Sequence, residues 1–184
     1  MIKELLLKII EQKHQELQVF NNHGIFEKIK DFEGNAIGQI GEKFIKEVFE
    51  NFSIPFDKNC KEIIHDEYDL ISNGNKVEIK IARKGLKNNT FQFNGINPKY
   101  NYDYIILLGI TYSDVFYYII NKKQDYFYDH QLRKEYIKIN KKPKQLVQMN
   151  PGNTVNLKLT LNLKDLKNGD FFVQDLKNIF GQNI

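Results

Sequence analysis

The chain has 184 residues, of which 41% are hydrophobic and 13% aromatic, a composition typical of a globular domain rather than a disordered protein. The net charge of +4 permits binding to nucleic acid without requiring it. Cys60 is the single cysteine, which excludes an intrachain disulfide and a cysteine-based zinc cluster. Lys3, Glu4 and Lys8 interrupt the apolar N-terminus, so we expect neither a signal peptide nor a membrane span there, and a cytoplasmic location without a membrane partner.

The N-terminal part of the chain has the apolar spacing of helices. Residues 2–20 carry apolar side chains at helical intervals, and a looser segment follows at 25–32. A stronger helix is predicted for residues 36–49, whose apolar side chains form one broad stripe. Glu42 lies at the edge of this stripe, where its carboxylate can point inward. The alternative is an exposed glutamate paired with Lys46.

A β-hairpin is predicted around Asn73-Gly74. A type I′ turn requires positive φ at both central residues, and Asn-Gly is a preferred pair for it. The turn sets the register outward, so Asp69 is expected opposite Glu78, with Lys80 following on the same face. Two carboxylates about 5 Å apart with an ammonium beside them are suited to a divalent cation, which offsets their repulsion.

The alternative is an amphipathic hairpin whose charged face points into water. The opposite face is apolar and is expected to consist of Tyr68, Leu70, Val77, Ile79 and Ile81, with Tyr68 facing Ile79. Like charges directly opposite one another destabilise a strand pair, so a purely structural hairpin would more naturally place a lysine opposite Asp69. We therefore favour the metal site.

The remaining elements complete an α/β (mixed α+β) fold with a central mixed β-sheet flanked by helices. A nearly continuous apolar run at 102–110 suits a strand covered on both faces. Other strands are predicted near 56–64, 91–93, 115–120 and 157–163, and a last helix at 171–180.

The hairpin residues resemble the active site of the PD-(D/E)XK nuclease superfamily, the fold of many type II restriction endonucleases. The signature is an acidic residue on one strand and an acid-x-lysine triplet on the next, here Asp69 and Glu78-Ile79-Lys80. Glu42 matches a glutamate that the family often carries on a preceding helix, whereas Tyr68 stands where the name of the family implies proline. The resemblance covers about residues 36–120.

The resemblance implies a restriction-endonuclease-like core that hydrolyses phosphodiester bonds of double-stranded DNA. Asp69, Glu78 and the carbonyl of Ile79 would bind Mg²⁺, as one ion or two. Lys80 would orient the attacking water, and Glu42, as a further catalytic residue, would complete the outer shell of the metal or hold a second ion. Gln92, on the next extended segment, is an accessory candidate for holding water or phosphate.

Contacts to DNA are assigned by region. The basic loop after the hairpin is closest to the proposed site, and it contains Arg83, Lys84 and Lys87. Further candidates carry groups that form bidentate contacts with base edges or charges that meet phosphates, namely Asn94, Asn97, Arg133 and Lys134. Taken singly, each is more typical of a solvated surface loop than of a residue that reads bases.

We expect residues 1–184 to form a single nuclease domain, with a helical extension at 1–35, the catalytic core at 36–123 and recognition or dimerisation elements at 124–184. The family resemblance implies a prokaryotic homodimer, since one such site cuts one strand, with a companion DNA methyltransferase as a candidate partner. Two alternatives stay open. One is a Holliday-junction resolvase, homing or repair nuclease of the same fold; the other is a non-catalytic module that binds nucleic acid.

Overall fold

The computed structural model describes residues 2–16, 25–57, 67–85 and 89–181. These ranges contain helices α1 (Ile2–Glu16), α2 (Gly34–Asn51), α3 (Lys122–Asp125) and α4 (Phe172–Phe180). The strands are β1 (Leu70–Ser72), β2 (Asn75–Arg83), β3 (Thr90–Ile96), β4 (Tyr104–Ile110), β5 (Val115–Asn121), β6 (Tyr126–Asp129), β7 (Lys134–Ile139), β8 (Lys142–Gln148), β9 (Leu157–Asn162) and β10 (Lys167–Asn168). The mixed α+β class predicted from the sequence is confirmed.

The strands form two sheets of five. The first sheet has the order β1-β2-β4-β5-β10 and is mixed, because β2 runs parallel to β4 while the other pairs are antiparallel. The second sheet has the order β3-β9-β8-β7-β6 and is antiparallel throughout. The apolar run predicted as a doubly covered strand is β4, which lies at the centre of the first sheet.

The molecule has three layers, with the first sheet in the middle. Helices α1, α2 and α4 pack on one face, where Phe44 stacks on Phe172 with ring centroids 6.4 Å apart. The second sheet packs on the other face, where Phe91 and Phe93 of β3 meet Ile105 of β4 in a separate apolar cluster. Side chains of β4 therefore point alternately into two cores.

The boundaries expected at residues 36 and 124 do not divide the core. Leu6 and Ile9 of α1 share one apolar cluster with Phe44 of α2 and with Phe172 and Leu176 of α4. Each terminal segment thus contributes a helix, α1 or α4, to the helical layer. None of the helices within the described ranges is long and apolar enough to span a membrane.

Several element predictions are confirmed, including α2, β3, β4, β5, β9 and α4. The segment at 25–32 forms only a 3₁₀ turn, Glu27–Asp31. Of the strand expected at 56–64, residues 56 and 57 are not part of a strand, and residues 58–64 lie outside the described residues. Residues 17–20 of the predicted N-terminal helix also lie outside them.

Strands β6 to β8 were not expected from the sequence. The β7–β8 turn consists of Asn140 and Lys141, both at positive φ (50° and 65°), so it has the backbone of a tight hairpin turn. A lysine at the second position, where glycine is usual, concealed the turn. These strands have few buried apolar residues, namely Ile137, Ile139 and Leu146, and many lysines. The alternation of apolar and polar residues that predicts a strand is therefore weak in the sequence.

Candidate active site

The predicted hairpin is confirmed, and its register is confirmed from the turn as far as Leu70 and Val77. Asn73 and Gly74 connect β1 to β2 at φ values of 47° and 75°. The pairs are Ser72 with Asn75, Ile71 with Lys76 and Leu70 with Val77. The turn therefore directs the chain so that Asp69 approaches the middle of β2.

Asp69 is fixed to β2 by two hydrogen bonds that involve the main chain. Its amide donates to the carbonyl of Val77 over 2.9 Å. Its Oδ2 accepts from the amide of Ile79 over 2.6 Å. The two bonds bracket Glu78, so the carboxyl groups of Asp69 and Glu78 come within hydrogen-bonding reach of one another. The expected adjacency of the two acids is thus present in the structure.

The apolar face of the hairpin differs from the prediction at Tyr68. Regular pairing ends at Leu70, so the alternation of faces does not extend to Tyr68. The tyrosine packs in the cluster between the sheets instead of facing Ile79, and the Lys76 Nζ lies 5.2 Å from its ring centroid. Its expected position opposite Ile79 was therefore wrong.

The charged face of the hairpin does not point freely into water. Glu78 is only 6% exposed, and its carboxylate forms an ion pair with the ammonium group of Lys80. This burial excludes the alternative of a solvated amphipathic hairpin. The sequence contains nothing local that predicts it, because the covering layers come from distant segments.

Burial governs the electrostatics of the acid pair. The pKa of Glu78 is raised to about 7, chiefly by burial and also by the Asp69 and Glu42 carboxylates, against the lowering effect of Lys80. Burial likewise raises the pKa of Asp69, against the lowering effect of the Ile79 amide and of Lys80 and Lys46. The site therefore favours a bound proton or cation.

The donor groups of this pair fit a magnesium ion. Mg²⁺ prefers oxygen ligands, binds through one or two carboxylates and keeps several waters. In the described part of the chain, no three histidine, cysteine or carboxylate side chains form a ready-made metal cluster. Two carboxylates, from Asp69 and Glu78, would thus leave most ligand positions to water and substrate, as this ion requires.

A cleft of about 1380 Å³ opens at Asp69, and Lys80, Glu42 and Gln92 line it too, whereas Glu78 lies behind them and is not a lining residue. Glu42 reaches the cleft because α2 approaches β2 closely at Gly41. A side chain added at Gly41 would meet the side chain of Ile81 at 3.0 Å. The structure thus brings together residues from α2, the hairpin and β3, as expected from the sequence.

Two further cleft residues were not found from the sequence. Gly95 has φ +72° in a β-bulge of β3. A Cβ placed on it would lie 3.7 Å from the Lys80 Nζ and 3.8 Å from the Asn156 Oδ1. This Oδ1 atom is buried and accepts no hydrogen bond from any described residue. Asn156 is far from Lys80 in sequence, so no local pattern could have identified it.

The candidates for DNA contact are dispersed. Arg83, Lys84 and Asn94 line the cleft, whereas Lys87 lies outside the described residues. Arg133, in the turn between β6 and β7, and Lys134, the first residue of β7, are exposed, and neither lines the cleft. Both lie at the edge of the second sheet opposite to β3.

The position of Asn97 does not fit its predicted role in contacting DNA. Its side chain is buried, with 7% of the residue exposed, and its Oδ1 accepts from the amide of Lys99 over 3.1 Å. The side chain thus forms a local hydrogen bond with the main chain of the turn after β3, as asparagine often does. It is therefore not available to read a base edge.

Comparisons with protein-family models, with curated proteins and with solved structures produced no match, so the assignment of a function depends on the geometry and chemistry of this site.

Proposed function

We propose that the protein is a Mg²⁺-dependent, sequence-specific endonuclease of the restriction type, which hydrolyses phosphodiester bonds of double-stranded DNA. The observation that carries this proposal is the contact between the half-buried Asp69 and the buried Glu78, with Lys80 beside them and Asp69 and Lys80 lining a cleft. Two carboxylates in mutual contact and largely removed from water are costly for a structural hairpin. A divalent cation would offset this cost, which supports a role of the pair in metal binding.

The residues have separate roles in this proposal. Asp69, Glu78 and the carbonyl of Ile79 would hold Mg²⁺, which when bound supplies Lewis-acid chemistry at the scissile phosphate. The Ile79 amide keeps the Asp69 carboxylate in place. Lys80, which pairs with Glu78 in this structure, would orient the attacking water and offset negative charge developing on the phosphate.

Residues across the cleft would hold the substrate. Glu42 and Gln92 line the same cleft and would bind waters or phosphate oxygens near the reacting atoms, with a second ion beside Glu42 as the two-ion variant. Asn156 offers a buried acceptor without a partner among the described residues. An unsatisfied buried acceptor costs about 1–3 kcal/mol, so we assign its Oδ1 to a water or donor group that enters with the substrate.

The test is cleavage of a plasmid pool of random sequence with Mg²⁺ and with EDTA. Glu78→Ala and Lys80→Ala should each abolish cleavage while DNA binding in a gel-shift assay is largely retained. Lys177→Ala is the matched control, since Asp175-Leu176-Lys177 is another acid-x-lysine triplet but lies in α4. The control should cut like the wild type. Mg²⁺-dependent cutting that persists in both site variants would refute the assignment.

The same assay separates the narrower alternatives. Cut ends that recur at one short sequence indicate restriction, and cuts confined to four-way junctions indicate a resolvase. Binding without any Mg²⁺-dependent cutting by the wild type would indicate a non-catalytic module. Sedimentation of the protein with its DNA tests the proposed homodimer, and a neighbouring methyltransferase gene would support the restriction role.

A further inference from the structure

The outward side of the second sheet forms a polar surface that begins at the cleft. Alternate residues of this sheet are buried against the first sheet, and the intervening side chains face away from it. We call this surface the outer face. Its members include Gln92 and Asn94 on β3, Lys158 on β9, Gln145 on β8, and Tyr136 and Lys138 on β7.

The strand register makes the outer face continuous. Gln92 pairs with Thr160 of β9, and Lys158 of β9 pairs with Val147 of β8. Gln145 of β8 pairs with Tyr136 of β7, next to β6. Five strands spaced by about 4.8 Å span roughly 19 Å from β3 to β6. Because Gln92 and Asn94 also line the cleft, the face leads directly into the proposed active site.

The outer face is basic. It carries Lys134, Lys138 and Lys158 and one acid, Asp129, opposite Lys134. The Asp129 Oδ1 accepts from the amides of Gln131 and Leu132, each over 2.9 Å, so this carboxylate caps the turn. Within the part of the chain that the structure describes, none of the three lysines forms an ion pair with a carboxylate. Their charges are directed to solvent or to a partner.

The aromatic residues of the outer face favour a duplex over a single strand. Phe127 and Tyr136 stack on one another, with centroids 5.3 Å apart and ring planes at 12°. The Lys138 Nζ lies 5.7 Å from the Phe127 centroid. Binding of single strands uses open ring faces on which bases stack. Here the rings pack against each other, and a lysine ammonium lies over one of them, so the surface presents charges and amides instead of stacking platforms.

We propose that the outer face binds the double-stranded DNA that flanks the scissile phosphate. This inference rests on the proposed function, because it names the surface that holds the substrate of that site. Lys134, Lys138 and Lys158 would contact phosphates, and the amides of Gln92, Asn94 and Gln145 are suited to base edges. About 11 phosphate charges lie along 19 Å of duplex, so three lysines would contact only a part of them.

The test measures binding of a 30-base-pair duplex over a range of salt concentrations, in EDTA, so that cleavage plays no part. The variant carries Lys134→Glu, Lys138→Glu and Lys158→Glu. The control carries Lys8→Glu, Lys123→Glu and Lys177→Glu, an equal change of charge at exposed positions off this face. The outer-face variant should bind at least about 10-fold more weakly. The slope of the logarithm of the binding constant against the logarithm of the salt concentration should become smaller in magnitude by about 2–3, since each phosphate contact contributes about 0.9 to it. The control should lose less than about 3-fold.

The outcomes are distinct. A variant that binds with the affinity and salt dependence of the control would overturn the inference, as would a loss confined to single-stranded DNA or to RNA. The glutamine triple variant at the same positions serves if the glutamates impair folding, and it should lower the salt dependence to a similar extent. Failure of the protein to cleave DNA would refute the proposed function without changing this binding result.

Discussion

Replacement of Glu78 by glutamine should stabilise the protein in the absence of metal. The carboxyl of Glu78 has a pKa of about 7 in the folded protein, against 4.5 ordinarily, because it is buried beside Asp69. Each pKa unit corresponds to about 1.4 kcal/mol, so the ionised group costs about 3 kcal/mol in the folded state. The attraction of Lys80 is already included in that shift. Glu78→Gln removes the charge and keeps the shape.

The pH dependence has a definite sign. Because the folded pKa is raised, the folded protein holds more protons than the unfolded chain between pH 4.5 and about 7. The stability of the wild type therefore falls as the pH rises through this window. The variant lacks this dependence, so the two proteins should be about equally stable at pH 4.5. They should differ by about 3 kcal/mol at pH 8, which corresponds to about 6–12 °C in Tm for a chain of this size.

The assay is urea unfolding followed by circular dichroism at pH 5 and pH 8, in EDTA and in Mg²⁺. Added Mg²⁺ should stabilise the wild type at pH 8 and the variant much less, because ligand binding to the folded state alone raises stability. Glu11→Gln is the matched control. Glu11 also pairs with a lysine, Lys28 at 3.7 Å, but it is exposed, so its loss should cost less than about 1 kcal/mol. A Glu78→Gln variant no more stable than wild type at pH 8 in EDTA would refute the argument.

Three further substitutions test the cleft. Gly95→Ala places a Cβ on a residue with φ +72°, at 3.7 Å from the Lys80 Nζ. It should lower the stability by about 1 kcal/mol and reduce cleavage, while DNA binding in a gel-shift assay is retained. Asn156→Ala removes a buried acceptor that has no partner among the described residues, so thermal unfolding should show equal or higher stability while cleavage falls. Lower stability would mean that Asn156 has a structural partner. Gly41→Ala meets the Ile81 side chain at 3.0 Å and should cost about 1–3 kcal/mol in urea unfolding, and Ile81→Ala should restore part of the loss if the contact is the cause.

Local chemistry in the sequence was sufficient to predict the hairpin and much of the first sheet. The Asn73-Gly74 turn requires a backbone that few other pairs adopt, so it determined the register without reference to the rest of the molecule. The apolar run of β4 and the stripe of α2 are likewise short-range signals. For this reason Asp69, Glu78, Lys80 and Glu42 could be named together before their positions were known.

The tertiary structure alone decided which faces meet, and therefore which groups are buried. The sequence is equally compatible with a solvated Glu78, and only the packing of distant layers on β2 excludes water from it. The same packing buried Asn97, turned Tyr68 to the other core and brought Asn156 to the cleft. Turn chemistry and periodicity act over a few residues, whereas burial depends on contacts between segments that are remote in the chain.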